Sequence, residues 1–234
     1  MPVNPSFTGI KACVFDAYGT LFDVHSAVAQ CRGQFPDPEA QADRTSEIWR
    51  TRQLQYSWLR ALQNRHVDFW QVTGDALDFA LESVLGNLGP AGLRDALLNS
   101  YLTLDAYPEV LGVLKDLRDS GLKTAILSNG SPEMLERVCD KSGVGALMDA
   151  VLSVEEVGIY KPHPSVYQLA VDRLGVHADN ISFQSSNAWD ATAASAFGFR
   201  VAWINRFSQA PERLPGKPDA ELRTLDELPP LLGN

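Results

Sequence analysis

Val14-Phe15-Asp16-Ala17-Tyr18-Gly19-Thr20-Leu21-Phe22-Asp23 is the stretch on which the fold turns. Residues 12–15, Ala-Cys-Val-Phe, contain no polar side chain, and they run into a carboxylate and a glycine turn. A short apolar run bounded by turn signals reads as a strand buried on both faces, as in a parallel sheet. Ligands of open α/β sheets bind beyond the carboxyl ends of the strands, which makes Asp16 the candidate nucleophile. An Asp after a strand is also an ordinary turn or cap residue, so the ends of the other strands matter.

Downstream of Asp23 the pattern becomes helical. Residues 25–35 read as a short helix stopped by Pro36 and Pro38, and residues 39–65 carry Leu54, Trp58 and Leu62 at helical spacing. Leu77, Leu81, Val84 and Leu88 mark a third helix, broken over residues 86–90, and residues 91–104 a fourth. No strand pattern interrupts this block. Residues 24–104 are therefore expected to form a helical cap inserted into an α/β core domain of residues 1–23 and 105–234.

From Pro108 onward strands and helices alternate. Pro108 is expected to open a helix that carries Val110, Leu114 and Leu117 and closes at Gly121. Residues 123–127 read as a strand ending in Ser128-Asn129-Gly130, and Ser131-Pro132 is a cap-and-proline helix start. Further strands are expected over residues 151–154, 181–184 and 200–204, with helices over 164–174 and from Asp190 to Phe197. The tail contains Pro211, Pro215, Pro218, Pro229 and Pro230 and is expected to wrap the surface. Strands separated by helices imply a Rossmann-like parallel α/β sheet with right-handed crossovers. Three strands end in polar residues: Asp16, Ser128-Asn129, and Ser185 with Asn187. One polar strand end is chance; three at one sheet edge make a site.

Composition narrows the partners. A net charge of −9 over 234 residues disfavours nucleic acid or an anionic membrane, which need Lys/Arg surfaces. No apolar run is long enough to span a bilayer, and the N-terminus lacks the pattern of a signal peptide. Cys13, Cys31 and Cys139 are scattered and read as free thiols of a cytoplasmic protein. His25, His66, His163 and His177 show no metal-ligand spacing, and Asp78 with Glu82 reads as a solvated helix face.

Taken together, the opening Asp-x-Tyr-Gly-Thr-Leu-Phe-Asp, Ser128-Asn129, Lys161-Pro162 and the acidic motif at Asp190 resemble the haloacid dehalogenase superfamily over nearly the whole chain. Phe22-Asp23-Val24-His25-Ser26, Tyr56-Ser57-Trp58-Leu59-Arg60, Leu127-Ser128-Asn129-Gly130-Ser131-Pro132 and Ser185-Ser186-Asn187-Ala188-Trp189-Asp190 resemble the L-2-haloacid dehalogenases in particular. The phosphatase branch carries a second Asp where this chain has Tyr18, and a further acidic residue where it has Ser186. An alkoxide leaving group needs a proton and a halide does not. Mg²⁺ also favours clustered carboxylates. A Mg²⁺-dependent phosphatase acting on a small phosphomonoester is thus the second reading, and a non-catalytic scaffold a third.

The resemblance implies cofactor-independent hydrolysis of short L-2-haloalkanoic acids, with Asp16 attacking C2 and inverting it. It implies that Thr20 orients Asp16, that Lys161 keeps it ionised, and that Arg50 with Asn129 faces the departing halide. Ser128 and the backbone N–H groups of Ala17 and Tyr18 would hold the substrate carboxylate. Tyr167, Ser185 and Asn187 would support Lys161 and the ester, and Asp190 would position the hydrolytic water or pair with Lys161. Tyr18, Phe69 and Trp189 would wall the alkyl group. Asp16, Asp190 and a substrate carboxylate are three negatives against Lys161 and Arg50. At about 4 Å and an effective dielectric of about 20, each charge pair is worth about 4 kcal/mol, so neither cation is dispensable. Arg44, Arg52 and Arg60 are expected to be solvated. The resemblance also implies a homodimer; the stripe Leu54, Trp58, Leu62 would serve that interface or pack inside the cap.

Overall fold

The computed structural model describes residues 5–233. Its centre is strand β1, Ala12–Phe15, completely buried as its unbroken apolar run requires. Strands β2 (Lys123–Ser128), β3 (Ala150–Ser153), β4 (Ile181–Ser185), β5 (Arg200–Ile204) and β6 (Ala220–Leu222) join it in a parallel sheet ordered β3-β2-β1-β4-β5-β6. The chain builds outward from β1 to β3 and then crosses back to β4 on the other side. The strand order therefore reverses beside β1, and that is where a crevice opens at the carboxyl ends. Register places Phe15, the last residue of β1, beside Ile126 on one side and Gln184 on the other, so β1, β2 and β4 end within two residues of one another.

Helices cover both faces. Helix α5 is Val110–Asp119, α6 Pro132–Ser142, α7 Pro164–Leu174 and α8 Ala188–Phe197. Proline occupies the first turn of α6 and of α7, where its missing N–H costs nothing, and the Ser131 hydroxyl caps α6 by accepting from the Met134 N–H at 3.4 Å. Two expectations are corrected. Pro108 lies in a turn and α5 begins only after Glu109, because the chain is still leaving its pairing with Leu21 at Tyr107. The tail does more than wrap: β6 extends the sheet beside β5, and helix α9, Leu228–Leu232, packs near α5.

Between β1 and β2 lie α1 (Ser26–Cys31), α2 (Pro38–Leu62), α3 (Phe69–Leu85) and α4 (Leu93–Tyr101). No strand occurs among residues 24–104. The chain enters and leaves this block through adjacent backbone: Asp23 N–H donates to Asp105 O at 2.9 Å and Tyr107 N–H to Leu21 O at 3.0 Å. Helix α2 departs from the expected apolar stripe. Its buried positions are Ala42, Thr45, Ser46, Trp49, Gln53 and Ser57, whereas Leu62 is 81% exposed. Polar partners on α3 and α4 make this possible, as Trp49 Nε1 donates to Thr73 O at 2.9 Å. Arg60 pairs with Asp75 at 2.8 Å, Arg52 lies over the Phe79 ring, and Asp78 pairs with Arg94 at 2.5 Å, so these partly exposed side chains also have protein partners, while Arg44 and Glu82 are exposed as expected.

Candidate active site

Asp16 is the first residue beyond β1, and its backbone N–H still donates to Gln184 O at 2.9 Å, which fixes the carboxylate at the sheet edge. Its Oδ2 accepts from Thr20 Oγ1 at 3.0 Å and Asn187 Nδ2 at 2.8 Å, and its Oδ1 from Lys161 Nζ at 3.1 Å. Thr20 is held in turn because its hydroxyl accepts from the Ser186 N–H at 2.8 Å. The buried turn that returns Thr20 toward Asp16 passes through Gly19 at φ +92°, a conformation glycine adopts without strain.

Lys161 follows Tyr160 in a loop tied to β2, where its backbone N–H donates to Asn129 Oδ1 at 3.0 Å. Its ammonium is 1% exposed and bridges Asp16 to Asp190, whose Oδ2 lies at 2.9 Å. Asp190 stands in the first turn of α8 and is fully buried; its Oδ1 accepts from Tyr167 OH of α7 at 2.8 Å. Burial alone would discharge the ammonium, but the carboxylates of Asp16 and Asp190 outweigh it and raise the Lys161 pKa. The Asp190 pKa is raised by its burial, with Lys161 drawing it down and Asp16 pushing it up. Burial and the Asp190 charge hold the Tyr167 phenol well above its ordinary pKa, so it acts as a donor.

Facing this charged cluster, α2 supplies Arg50. Its Nη2 donates to Asn187 Oδ1 at 3.0 Å and Tyr18 O at 3.2 Å, and its Nη1 to Gln53 Oε1 at 2.8 Å. All three acceptors are neutral, and among the described residues Arg50 makes no ion pair, so its charge stays available to an anion. A cavity of about 290 Å³ runs from Gly19, Arg50, Ser186 and Asn187 out to His25 and Phe207. Tyr18 is buried, stacks on Tyr101 at 5.5 Å and tilts against Phe69 at 6.4 Å, so an aromatic wall joins α3 and α4 to the nucleophile loop. A Cβ on Gly130 would lie 2.7 Å from the Tyr18 ring, so no other residue fits beside that wall.

The fold thus gathers Asp16, Thr20, Lys161, Tyr167, Asn187, Asp190 and Arg50 into one hydrogen-bonded cluster. Ser185 sits at the end of β4, where its Oγ accepts from the Asn187 N–H at 3.2 Å and so sets the Asn187 turn. Ser128 is buried and its Oγ accepts from the Gly130 N–H at 3.0 Å, whereas Asn129 bonds to the Lys161 backbone rather than to Arg50. Trp189 packs edge-on against Trp58 at 5.2 Å and lines both the Arg50 cavity and a second, apolar groove. Sequence reading passed over Gln53, which accepts from Arg50, and Thr73 and Tyr101 of α3 and α4, which hold Gln53. The three-residue spacing of Arg50 and Gln53 on one helix face was the available signal for Gln53. Among the described residues no group of His, Cys, Asp or Glu gathers in a way that would hold a metal ion.

A carboxylate held by three donors, one of them a buried ammonium, with a guanidinium bonded only to neutral acceptors opposite, suits nucleophilic attack on an anionic substrate. Known proteins point the same way. Residues 10–198 match the haloacid dehalogenase-like hydrolase family. The chain is 48% identical to (S)-2-haloacid dehalogenase 1 of Pseudomonas sp. (strain CBS-3), over 95% of this chain and 96% of that protein. It is 44% identical to (S)-2-haloacid dehalogenase 4A of Burkholderia cepacia, over 95% of each. The L-2-haloacid dehalogenase of Xanthobacter autotrophicus, solved with chloropropionic acid covalently bound, superposes with a TM-score of 0.88 at 36% identity, over 96% of this chain and 99% of that one. With that coverage added to the cluster at the sheet edge, the chain belongs to the haloacid dehalogenase-like hydrolases.

Proposed function

We propose that the chain hydrolyses short L-2-haloalkanoic acids to D-2-hydroxy acids, with Asp16 as nucleophile. The observation that carries this reading is the Asp16 carboxylate itself, ordered by Thr20, Asn187 and Lys161, with Tyr18 rather than a carboxylic acid two residues on. Oδ1, held by Lys161 alone, is the freer oxygen and attacks C2. The C2–O bond forms as the carbon–halogen pair leaves with the halide, and C2 inverts. Arg50 meets the charge that develops on the halide. Water then adds to the aspartyl carbonyl carbon. The negative charge of that step builds on Oδ2, where Thr20 and Asn187 already donate. Collapse breaks the acyl C–O bond, one water proton goes to the hydroxy acid, the other to solvent, and Asp16 is restored.

The remaining residues support these steps. Ser128 with the Ala17 and Tyr18 N–H groups receives the substrate carboxylate, Asn129 fixes the Lys161 loop, and Phe69, Tyr18 and Trp189 exclude water from the alkyl group. Asp190, with both oxygens engaged, and Tyr167 hold Lys161 in place. A phosphomonoesterase is the weaker reading. Tyr18 stands where an acid would protonate the alkoxide, and burial raises its phenol well above its ordinary pKa. Ser186 also stands where the phosphatase branch carries a further acidic residue for Mg²⁺.

Residues 24–104 act as a cap over the core of residues 1–23 and 105–234, of which residues 1–4 and 234 lie outside the described part. The chain works as a homodimer: Trp58, Leu62, Pro162, Trp189 and Leu214 line an apolar groove of about 620 Å³, with Leu62 and Leu214 exposed. The buried, unpaired Cys13, Cys31 and Cys139 suit the cytoplasm. The function is tested by halide release from each enantiomer of 2-chloropropionate in EDTA, followed by one turnover in heavy-oxygen water. Release from the L form, with label first in Asp16, is expected. Label appearing first in the hydroxy acid would refute the ester.

A further inference from the structure

We infer that Gln53 is a positioning residue for the halide-facing guanidinium, and that its being an amide rather than an acid keeps Arg50 effective. The inference rests on the role proposed above for Arg50. Gln53 is 1% exposed inside the cap. Its Oε1 accepts from Arg50 Nη1 at 2.8 Å and from Tyr101 OH at 3.1 Å, and its Nε2 donates to Thr73 Oγ1 at 2.8 Å. The direction of the amide follows from counting protons. The Thr73 hydroxyl has one, and gives it to Phe69 O at 2.7 Å, so toward Gln53 it accepts. Gln53 must therefore turn its N–H₂ to Thr73 and its oxygen to Arg50.

The consequence is a continuous line of hydrogen bonds from Thr73 through Gln53, Arg50 and Asn187 to Asp16 Oδ2. The Arg50 fork is fixed at both nitrogens without meeting a carboxylate. A glutamate of nearly the same shape would still accept from Arg50 and would neutralise it, while its second oxygen would meet Thr73 Oγ1, whose proton would have to leave Phe69 O to satisfy it. A donor fixed in advance where charge will develop is worth most when the leaving group depends on it most. The better the halide leaves unaided, the less Gln53 should matter.

The test is a leaving-group series on L-2-bromo-, chloro- and fluoropropionate with Gln53→Glu, Gln53→Met and Thr73→Val. Thr73→Val is isosteric, removes the acceptor that orients the amide, and guards against a core that tolerates neither change at Gln53. Loss of one preorganised donor costs about 10²–10³-fold. Gln53→Glu is expected near that range for chloride release, with a smaller loss for bromide and a larger one for fluoride. Gln53→Met and Thr73→Val should follow in the same order with smaller losses. Equal losses for all halides, or none, would overturn the inference. Arg50→Gln, run in parallel, separates the two readings. If its losses are themselves independent of the halide, it is the role of Arg50 that fails; if only the Gln53 and Thr73 variants are flat, Arg50 stands and Gln53 is merely structural.

Discussion

The two sides of the site hold their charges by opposite means. On the sheet side, Lys161 is buried between Asp16 and Asp190 and is neutralised by them. On the cap side, Arg50 is fixed by three uncharged oxygens and keeps its charge. Pairing a buried cation gives a rigid nucleophile, while leaving one unpaired gives a site for an incoming anion. The sheet side should therefore govern stability and the existence of chemistry, and the cap side its rate and selectivity.

The largest break is Asp16→Asn. It removes the nucleophile and one of the two negatives that Lys161 balances, leaving Lys161 paired with Asp190 alone. Loss of a nucleophile in other hydrolases costs about 10⁶-fold in kcat, and halide release is expected to fall to background. Unfolding by urea should show a protein as stable as the parent or more so, since a buried charge has gone. Retained turnover would remove Asp16 from the mechanism, whereas a large loss of stability would show that the carboxylate supports the fold.

Next in size is Lys161→Met, which strands two carboxylates in the interior. Removing one partner of a buried ion pair costs about 3–5 kcal/mol, and activity should vanish with it. The pH dependence separates the causes. In the parent the Lys161 pKa is raised above 10.5, so its contribution is complete below 10.5 and is lost only as pH rises through the higher folded value. In the variant Asp190, already raised by burial, loses the ammonium that draws it down. The folded protein then binds a proton that the unfolded chain releases, and stability must rise as pH falls. Urea titrations at about pH 5 and about pH 8, chosen to lie above the ordinary carboxylate range, should show the smaller deficit at the lower pH. A deficit independent of pH would mean lost packing rather than stranded charge.

The same contrast governs what the sequence discloses. Strand β1 and Asp16 are legible because a four-residue apolar run closed by a glycine turn is too short for a helix and reads as a buried strand. Helix α7 is legible because Pro164 and Gly175 mark its ends. Lys161 lies 145 positions from Asp16 and 29 from Asp190, and no local pattern joins them; the family motifs do. The cap side is harder. The periodicity of α2 selects Leu62, which is exposed, and misses Gln53 and Ser57, which are buried. A face buried through hydrogen bonds carries no hydrophobic period, so its inward direction emerges only when α3 and α4 supply acceptors. Strand β6 is three residues in a proline-rich tail, and only its neighbour β5 makes it a strand.

The smallest effect on catalysis is expected where the apolar stripe emerges. Leu62 is 81% exposed and Leu59 51%, beside the groove that Trp58 and Trp189 floor. A lone exposed leucine needs no explanation, but a contiguous apolar groove marks a surface that something covers. Burying one leucine stabilises by about 1.5–3 kcal/mol, and a stable interface takes about 800 Å² from each partner. Leu62→Lys places an ammonium at the rim of that groove, outside the Asp16–Arg50 cluster. Light scattering should report a homodimer for the parent and a monomer, or a concentration-dependent mixture, for the variant. Turnover at saturating substrate should stay within about threefold, a change worth under about 1 kcal/mol. A parent that is monomeric at all concentrations would remove the dimer. A dimer whose loss abolishes turnover would instead tie the groove to the site through Trp189, the one wall residue that lines both cavities.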